Sequence, residues 1–397
     1  MKRLQNKLIF TRIHDLAIAA SFSENRCVQL ECTTEQESIL GNIYIGKVKN
    51  VVKNIQAAFV EIKPGVICYL PLEEAQNAVY TSKIPSDHLV AQDELIVQVK
   101  KEGIKTKAPG LTADFCLSGQ YLVLTHGNTR IGLSSKLDST SKKRLREWMI
   151  PFENEQYGWI VRTNAAEISE ELFVAEAIEL SKKYESIVKN AQFRTCYSVL
   201  KKNDSFCTQT LKNSYQKNEK EIITDQEDFY EEIMKYEENP SIPSQNHVVF
   251  YQDHLLPLPK VYNLEKELED AQKERVWLKS GGYLVIQPTE ALTVIDVNTG
   301  KCTAKKEQQQ TFLKINKEAS AEIARQLRLR NISGIIIVDF INLESESDRM
   351  ELMRDLENRL NQDPIKTTLV DMTRLGLVEI TRKKVKKSLS EQLGQKN

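Results

Sequence analysis

The sequence predicts a mixed α+β chain built from several subdomains. At 397 residues, the chain exceeds the size at which a single hydrophobic core usually suffices. Short strands between residues 41 and 100, separated by glycine breakers, predict a small barrel. Between residues 283 and 382, short apolar strands alternate with amphipathic helices, and this alternation predicts a layered α/β unit.

The composition narrows the class of protein. Hydrophobic residues make up 41% of the chain, and 55 basic residues balance 55 acidic ones. This balance argues against a protein that coats nucleic acid through bulk charge, although a local basic groove remains compatible with it. There is no run of 18 apolar residues, and Met1–Asn6 lacks the apolar segment of a signal peptide. The seven scattered cysteines are typical of reduced thiols, so we expect a cytoplasmic protein without a membrane span.

Two predicted strands end in carboxylates. Leu292–Val297 is apolar until Asp296, and Asn298 follows at the same side-chain parity, so both polar side chains point to one face. The apolar run Ile335–Val338 is typical of a central strand and is followed by Asp339. Two carboxylates at strand ends can hold one Mg²⁺ together with water and a substrate phosphate. The alternative is that each aspartate caps the turn or helix after its strand.

Four sequence blocks in this region resemble the catalytic core of the ribonuclease E/G family. In chain order they are Leu292–Asn298, Glu322–Arg330, Gly334–Ile341 and Arg374–Arg382. The resemblance implies a metal-dependent endoribonuclease in which Asp296 and Asp339 bind one catalytic Mg²⁺ and Asn298 forms a hydrogen bond at the site. It also implies cleavage of single-stranded RNA, such as rRNA or mRNA precursors, to 5′-phosphate and 3′-hydroxyl ends.

The predicted barrel resembles the S1-type OB-fold of the same family. Such barrels bind single-stranded RNA by stacking bases on exposed aromatic rings beside basic side chains. The candidate platforms are Phe59 and Tyr69, and the candidate phosphate contacts are Lys101 and Lys107. The alternatives are core packing for the two rings and an ordinary solvated position for the two lysines.

A third segment resembles the family's sensor for the RNA 5′ end. The candidate residues are Gly119, Val123, Arg162 and Thr163. The first two lie in a predicted strand, Leu117–Leu124, and the last two end a predicted strand, Trp159–Thr163. The resemblance implies that the arginine and the threonine hold a terminal monophosphate, a role that suits a guanidinium fork. Without the resemblance, an ordinary edge arginine is an equally good interpretation of Arg162.

The resemblance also implies four subdomains. Residues 1–38 and 208–271 form a discontinuous ribonuclease-H-like subdomain, residues 39–113 the S1 barrel, residues 114–207 the 5′-end sensor and residues 272–397 a DNase-I-like catalytic subdomain. Apolar residues spaced among charges predict a surface helix over Val261–Val276. Residues 221–240 are acidic, and we expect them to lie away from RNA because their charge would repel phosphate.

The sequence departs from the family in three places, one of which is Lys366, where the family has an arginine. Family members usually continue into a Cys-x-x-Cys element through which two chains share one zinc ion, and no such pair occurs here. We therefore expect no structural zinc, and a homodimer would need direct contacts in place of the zinc link. Asn164, Ala165 and Ala166 stand where the family typically has glycines. These departures leave an alternative open: an RNA-binding protein or assembly factor on RNA or ribosomes that has lost efficient turnover.

Overall fold

A computed structural model describes residues 6–34, 39–101, 103, 108–213, 220–238, 246–253, 255–300 and 308–394. The chain divides into two compact units. The first combines Met1–Glu35, Phe206–Glu237 and Ser244–Asn397, and the second combines Gln36–Ser205 with Glu238–Pro243. Each unit contains helices and two sheets, so the prediction of a mixed α+β chain is confirmed. No helix within the described ranges is long and apolar enough to cross a membrane.

The strands of the described residues are numbered in chain order. They are β1 (Asn6–Ile13), β2 (Leu16–Ser23), β3 (Arg26–Thr34), β4 (Ile43–Val52), β5 (Ala57–Lys63), β6 (Val66–Pro71), β7 (Tyr80–Ser82), β8 (Glu94–Lys101), β9 (Gly110–Thr112), β10 (Cys116–Ser118), β11 (Leu122–His126), β12 (Ile131–Leu133), β13 (Tyr157–Val161), β14 (Val199–Lys201), β15 (Glu221–Thr224), β16 (His247–Phe250), β17 (Arg275–Trp277), β18 (Tyr283–Pro288), β19 (Leu292–Asn298), β20 (Gly334–Asp339), β21 (Thr367–Met372) and β22 (Leu377–Arg382).

The α-helices of the same residues are α1 (Ser139–Met149), α2 (Glu170–Ala191), α3 (Phe206–Lys212), α4 (Glu227–Glu237), α5 (Leu258–Val261), α6 (Leu264–Asp270), α7 (Gln308–Leu329), α8 (Glu346–Asn361) and α9 (Leu389–Gln392). Side-chain caps fix the start of several of them. Asp138 accepts a hydrogen bond from the Ser141 N–H at the start of α1, and Ser345 does the same for Asp348 at the start of α8.

The first unit contains a five-stranded sheet and a six-stranded sheet. The five-stranded sheet has the order β16-β15-β1-β2-β3, in which β1, β2 and β3 form an antiparallel meander and β15 runs parallel to β1. Both faces of this sheet are packed. Ile9 belongs to the core on one face, and its neighbour Leu8 belongs to a separate core on the other face. The acidic segment that begins at residue 221 opens with β15, a strand inside this sheet.

The six-stranded sheet has the order β17-β18-β19-β20-β22-β21. Its strands alternate in burial, so that Ile295 and Val338 point into a core formed with α7 and α8. The opposite face carries half-buried and exposed side chains, including Asp296 and Asp339, and Ile335 there is 50% exposed. One face of this sheet is therefore packed against helices, and the other faces outward.

The second unit contains a closed barrel and a four-stranded sheet. β4, β5, β6, β9 and β8 pair in sequence, and the pairing of β4 with β8 closes the ring. This closed five-stranded barrel agrees with the predicted OB-type architecture. The four-stranded sheet has the order β10-β11-β13-β12, and its core includes Trp159 together with Phe173 and Leu180 of α2. The assignment of the four subdomains and their boundaries stays a prediction.

Three local predictions were wrong. Val261–Val276 is not one helix, because Asn263 adopts a left-handed backbone conformation between α5 and α6. The end of this segment forms β17, the edge strand of the six-stranded sheet. Leu117–Leu124 is not one strand either, since β10 and β11 are separated by a turn whose N–H groups bind a side chain of α2. The predicted strand Trp159–Thr163 is present as β13, and only its bounds were wrong, because it begins at Tyr157 and ends at Val161.

Candidate active site

The two predicted acidic residues lie at the same level on neighbouring strands. β19 and β20 run parallel, and Asp296 pairs in register with Asp339. Paired residues of neighbouring strands direct their side chains to the same face of a sheet. Because such strands lie about 4.8 Å apart, the two carboxylates lie side by side on the outward face of the six-stranded sheet. The register therefore brings together two residues that are widely separated in the sequence.

The amide of Asn298 completes the predicted group. Its Nδ2 donates a hydrogen bond of 2.6 Å to Oδ2 of Asp296. This contact follows from the strand geometry, because residues two apart in a strand share a face. A hydrogen bond to an ionised carboxylate is stronger than one between neutral groups, so it fixes the rotation of the Asp296 side chain.

Two glycines let the end of β19 approach the start of β18. A Cβ atom at Gly282 would lie 2.7 Å from the carbonyl oxygen of Asn298. Gly300 has a φ of +62°, and a Cβ atom there would lie 2.2 Å from the carbonyl oxygen of Gly281. A side chain at either position would displace the backbone beside Asn298, which explains the requirement for glycine in this run.

Asn316 is a positioning residue that was not among the sequence-based candidates. It lies in α7 and is fully buried. Its Nδ2 donates to the carbonyl oxygen of Ile341 at 2.7 Å, and its Oδ1 accepts from the Ile341 N–H at 3.1 Å. Ile341 follows Asp339 by two residues, so this buried amide holds the backbone beyond the second carboxylate. The available signal was a polar residue on the apolar face of a predicted helix.

The donor set of the sheet fits a hard divalent cation. Mg²⁺ in proteins is usually bound by one or two carboxylates, and water and substrate phosphates complete its shell. Asp296 and Asp339 supply two carboxylates on one outward face. Among the described residues, no group of three or more His, Cys, Asp or Glu side chains has an arrangement that could hold a metal ion. Because Mg²⁺ prefers six ligands, an ion held by these two carboxylates would keep open positions for water and a phosphate.

Three of the four predicted RNA contacts lie in one row across the barrel. Phe59 pairs with Tyr69, Tyr69 pairs with Gly110, and Gly110 pairs with Lys101. The two rings meet edge to face with centroids 6.3 Å apart, both are half-buried, and Lys101 is exposed. A Cβ atom at Gly110 would lie 3.5 Å from Cβ of Lys101, so the stem of the lysine lies beside this glycine. Lys107 lies outside the described residues.

The predicted sensor residues lie around the turn between β10 and β11. The guanidinium of Arg162 donates to the carbonyl oxygen of Gly119 at 3.1 Å. The hydroxyl of Thr163 lies 2.8 Å from that of Ser134. Val123 lies on β11, where it pairs with Ser118 of β10 and is half-buried. The structure thus brings Arg162 to Gly119 and holds Thr163 at the start of a 3-10 helix, Thr163–Glu167.

A buried carboxylate occupies the inner side of this turn. Glu176 of α2 accepts hydrogen bonds from the N–H groups of Gln120, Tyr121 and Leu122 at 2.5, 2.8 and 2.8 Å. Three successive N–H groups that converge on one site form an anion-binding nest, and here an internal carboxylate fills it. Burial, together with the charge of Glu176, raises the pKa of Tyr121 to about 12. No pattern in the sequence had pointed to Glu176.

Comparison with known proteins places these features in a family. Residues 116–385 match the model of the ribonuclease E/G family. Ribonuclease E of Nostoc sp. is 36% identical over 387 residues, which cover 95% of this chain and 56% of that protein. Ribonuclease G of Salmonella typhimurium is 33% identical over 374 residues, which cover 90% of this chain and 75% of that protein. The chain spans little more than half the length of the ribonuclease E relatives. It belongs to the ribonuclease E/G family.

Proposed function

We propose that this chain is a Mg²⁺-dependent endoribonuclease that cleaves single-stranded RNA to 5′-phosphate and 3′-hydroxyl ends. The observation that carries the proposal is the in-register pairing of Asp296 with Asp339, with the Asn298 amide bound to Asp296. Relatives named ribonuclease E and ribonuclease G support RNA as the substrate class. Precursors of rRNA or mRNA are the proposed natural substrates.

The residues of the six-stranded sheet have separate roles in this proposal. Asp296 and Asp339 would hold the metal ion, and the Asn298 amide keeps the Asp296 carboxylate in one orientation. A bound Mg²⁺ supplies an activated water and offsets the charge that develops on a phosphodiester. The outward position of both carboxylates leaves room for an RNA backbone to reach them. Asn316 would act indirectly, since it fixes the segment that follows Asp339.

The second unit supplies the proposed RNA contacts. Phe59 and Tyr69 offer ring surfaces for base stacking, and Lys101 offers a cation for phosphate. Lys107 remains a candidate on the basis of the family resemblance alone.

The 5′-end sensor belongs to the same proposal. Arg162 and Thr163 would hold a terminal phosphate near Gly119 and Val123. Because Glu176 already occupies the three N–H groups of the turn, a terminal phosphate would depend mainly on the arginine and threonine side chains. The negative charge of Glu176 would also oppose a phosphate, so we expect weak discrimination between 5′-monophosphate and 5′-hydroxyl RNA.

The test is cleavage of a labelled, unstructured, AU-rich RNA with and without Mg²⁺. We expect Asp296→Asn and Asp339→Asn each to reduce the cleavage rate about 100-fold or more, since each removes a charge from the site. We expect Asn298→Ala to reduce the rate about 10- to 100-fold, because it removes a group that only orients a ligand. Asp371→Asn on β21 is the matched control: its carboxylate is exposed on the same sheet and we expect parental cleavage.

The outcomes separate the proposal from its alternative. Undiminished cleavage by Asp339→Asn, with circular dichroism showing a folded protein, would refute the assignment of the site. Salt-sensitive RNA binding by the parent chain without any Mg²⁺-dependent product would favour the RNA-binding or assembly role. A phosphatase and a ligase that requires 5′-phosphate identify the chemistry of the product ends.

A further inference from the structure

Three side chains form a cluster at the edge of the six-stranded sheet. Arg275 and Trp277 belong to β17, and Tyr283 begins β18. The Trp277 and Tyr283 ring centroids are 5.2 Å apart, and the Arg275 guanidinium lies 4.5 Å from the centroid of Tyr283 and 5.8 Å from that of Trp277. This geometry lies within the range of cation–π contacts. We call these three residues the edge cluster.

The register of the sheet connects the edge cluster to the candidate active site. Tyr283 pairs with Asn298 on one side and with Trp277 on the other. The three residues therefore form one row across β19, β18 and β17. Since neighbouring strands lie about 4.8 Å apart, Trp277 lies roughly 10 Å from Asn298 across the sheet.

A second row runs beside the first. Asp296 pairs with Val285, and Val285 pairs with Arg275. Residues paired across strands share a face, so Arg275 lies on the same outward face as the two carboxylates. The adjoining residues Leu284 and Ile286 are buried in the core on the helix side, which is consistent with this alternation. The edge cluster and the acidic pair thus share a continuous surface.

The exposure of Trp277 distinguishes this cluster from ordinary packing. Its side chain remains 63% exposed even though it contacts a tyrosine and lies near an arginine. A bland interpretation is that the three residues protect a sheet edge, which natural proteins often cover with bulky or charged groups. That role does not require an exposed indole face on the same surface as two carboxylates. Exposed aromatic rings beside a cation are the usual elements of a site for single-stranded nucleic acid.

Charge also favours RNA at this position. The two carboxylates of the sheet would repel a phosphate backbone. Arg275 places a positive charge on the same face, one strand beyond the Val285 that pairs with Asp296. A guanidinium can contact phosphate and still stack on a ring, because its plane is free to lie over an aromatic face. The surface therefore offers attraction for the backbone and a stacking face for a base.

We propose that Trp277 and Tyr283, supported by Arg275, form a stacking platform for one base of a single-stranded RNA, next to the phosphodiester held at Asp296 and Asp339. This inference rests on the proposed endoribonuclease function, because that function places the RNA backbone at the carboxylates. The platform fixes the position of the nucleotide that flanks the cleaved bond and favours bases that stack well.

The test measures binding with cleavage blocked. The Asp339→Asn chain is mixed with a short labelled RNA, and the dissociation constant is measured by fluorescence anisotropy. We expect Trp277→Ala in this background to weaken binding roughly 5- to 100-fold, which is the range for loss of one stacking contact. Trp277→Phe keeps a ring and should retain most of the affinity. Val370→Ala on β21, an exposed apolar residue at the opposite edge, is the control and should bind as tightly as its parent.

A series of RNAs with a single abasic residue at each position near the cleavage site tests the contact itself. We expect one abasic position to weaken binding to the parent, and we expect Trp277→Ala to remove that position's effect while the other positions keep theirs. Equal affinities for Trp277→Ala and Val370→Ala, or an equal loss at every abasic position, would overturn the platform. If Asp296→Asn and Asp339→Asn abolish cleavage in that case, the nuclease proposal stands without the platform. If those two variants cleave normally, the nuclease proposal fails independently.

Discussion

Glu322 is a buried carboxylate that joins α7 to strand β3 of the five-stranded sheet. It accepts hydrogen bonds from Arg325 at 2.7 and 3.0 Å and from Gln326 at 2.8 Å, and it pairs with Arg26 at the start of β3. Arg325 in turn donates to the carbonyl oxygen of Cys27 at 2.6 Å. Glu322, Arg325 and Gln326 belong to the block Glu322–Arg330, which resembles the family in sequence. These three residues therefore stabilise the fold of the first unit.

The variant Glu322→Gln should be strongly destabilising. A carboxamide can keep its acceptor oxygen at the Oε1 position, where Arg325 and Gln326 bind, but it places an NH₂ group against the guanidinium of Arg26 and removes the negative charge that offsets the buried Arg325. Each hydrogen bond to a charged group contributes about 1.5–3 kcal/mol, and breaking a buried ion pair typically costs about 3–5 kcal/mol. The Arg26 side chain is 54% exposed and can regain water, so its part of the loss is small. We therefore expect the free energy of unfolding of the first unit to fall by about 3–5 kcal/mol.

The effect should also depend on pH. Burial of Glu322 opposes its ionisation, but the hydrogen bonds and charge of Arg325 outweigh burial and hold the pKa below its usual value. A carboxyl with a lowered pKa in the folded state stabilises the protein above its unfolded pKa, and this contribution is lost as the pH falls through the folded pKa. The difference in free energy of unfolding between the parent and Glu322→Gln should therefore be largest near neutral pH and should become smaller in acid.

Hydrogen exchange measured by mass spectrometry suits this test, because a chain with two compact units need not unfold in one transition. Peptides from α7 and β3 should lose protection in Glu322→Gln, whereas peptides from α2 in the second unit should not. The matched control is Glu351→Gln, which removes an exposed partner of Lys317 and should cost less than about 1 kcal/mol. Equal losses in the two variants would refute the argument that burial makes the Glu322 network strong.

Three further predictions concern the second unit. The Tyr197 hydroxyl donates to Glu61 at 2.5 Å and, with the N–H of Gly65, lowers the pKa of Glu61 to about 2. The ionised Glu61 stabilises the fold above its unfolded pKa, and this contribution is lost as the pH falls toward 2. Tyr197→Phe should therefore move the midpoint of acid unfolding to higher pH. If circular dichroism shows the same midpoint for the variant and the parent, this prediction is contradicted. In RNA binding, Phe59→Ala should weaken affinity about 5- to 100-fold without altering the salt dependence, because it removes a stacking surface. Lys101→Ala should instead reduce the slope of log K against log salt by about 0.7. A change in slope for Phe59→Ala and none for Lys101→Ala would exclude stacking by the ring and phosphate contact by the lysine.

Local patterns in the sequence were sufficient for several elements of the six-stranded sheet. The apolar runs Leu292–Val297 and Ile335–Val338 predicted two strands that correspond to β19 and β20. Side-chain parity placed Asp296 and Asn298 on one face, and the hydrogen bond between them agrees with that prediction. These predictions succeeded because period and parity are properties of a single strand and need no knowledge of its neighbours.

Predictions that depended on a distant partner were less successful. The segment Val261–Val276 has apolar residues at helical spacing, yet its last residues pair with β18 as a strand. A backbone that finds a sheet edge gains a ladder of hydrogen bonds, and this gain overrides a weak helical preference. The turn at Gly119 is a similar case, since its N–H groups bind Glu176, a residue more than 50 positions away. Neither partner is visible in the local sequence.

The orientation of one strand pair decides whether the two aspartates meet at all. β18 and β22 run antiparallel to their neighbours in the six-stranded sheet, whereas β19 and β20 run parallel. An antiparallel β20 would carry Asp339 to the opposite end of β19, away from Asp296. A parallel pair needs a long crossover connection, and the 22-residue helix α7 lies within it. The same helix packs on the sheet, holds Ile341 through Asn316 and is tied to β3 through Glu322. Substitutions in α7 that break these contacts should therefore move Asp339 away from Asp296, even though both aspartates are still present.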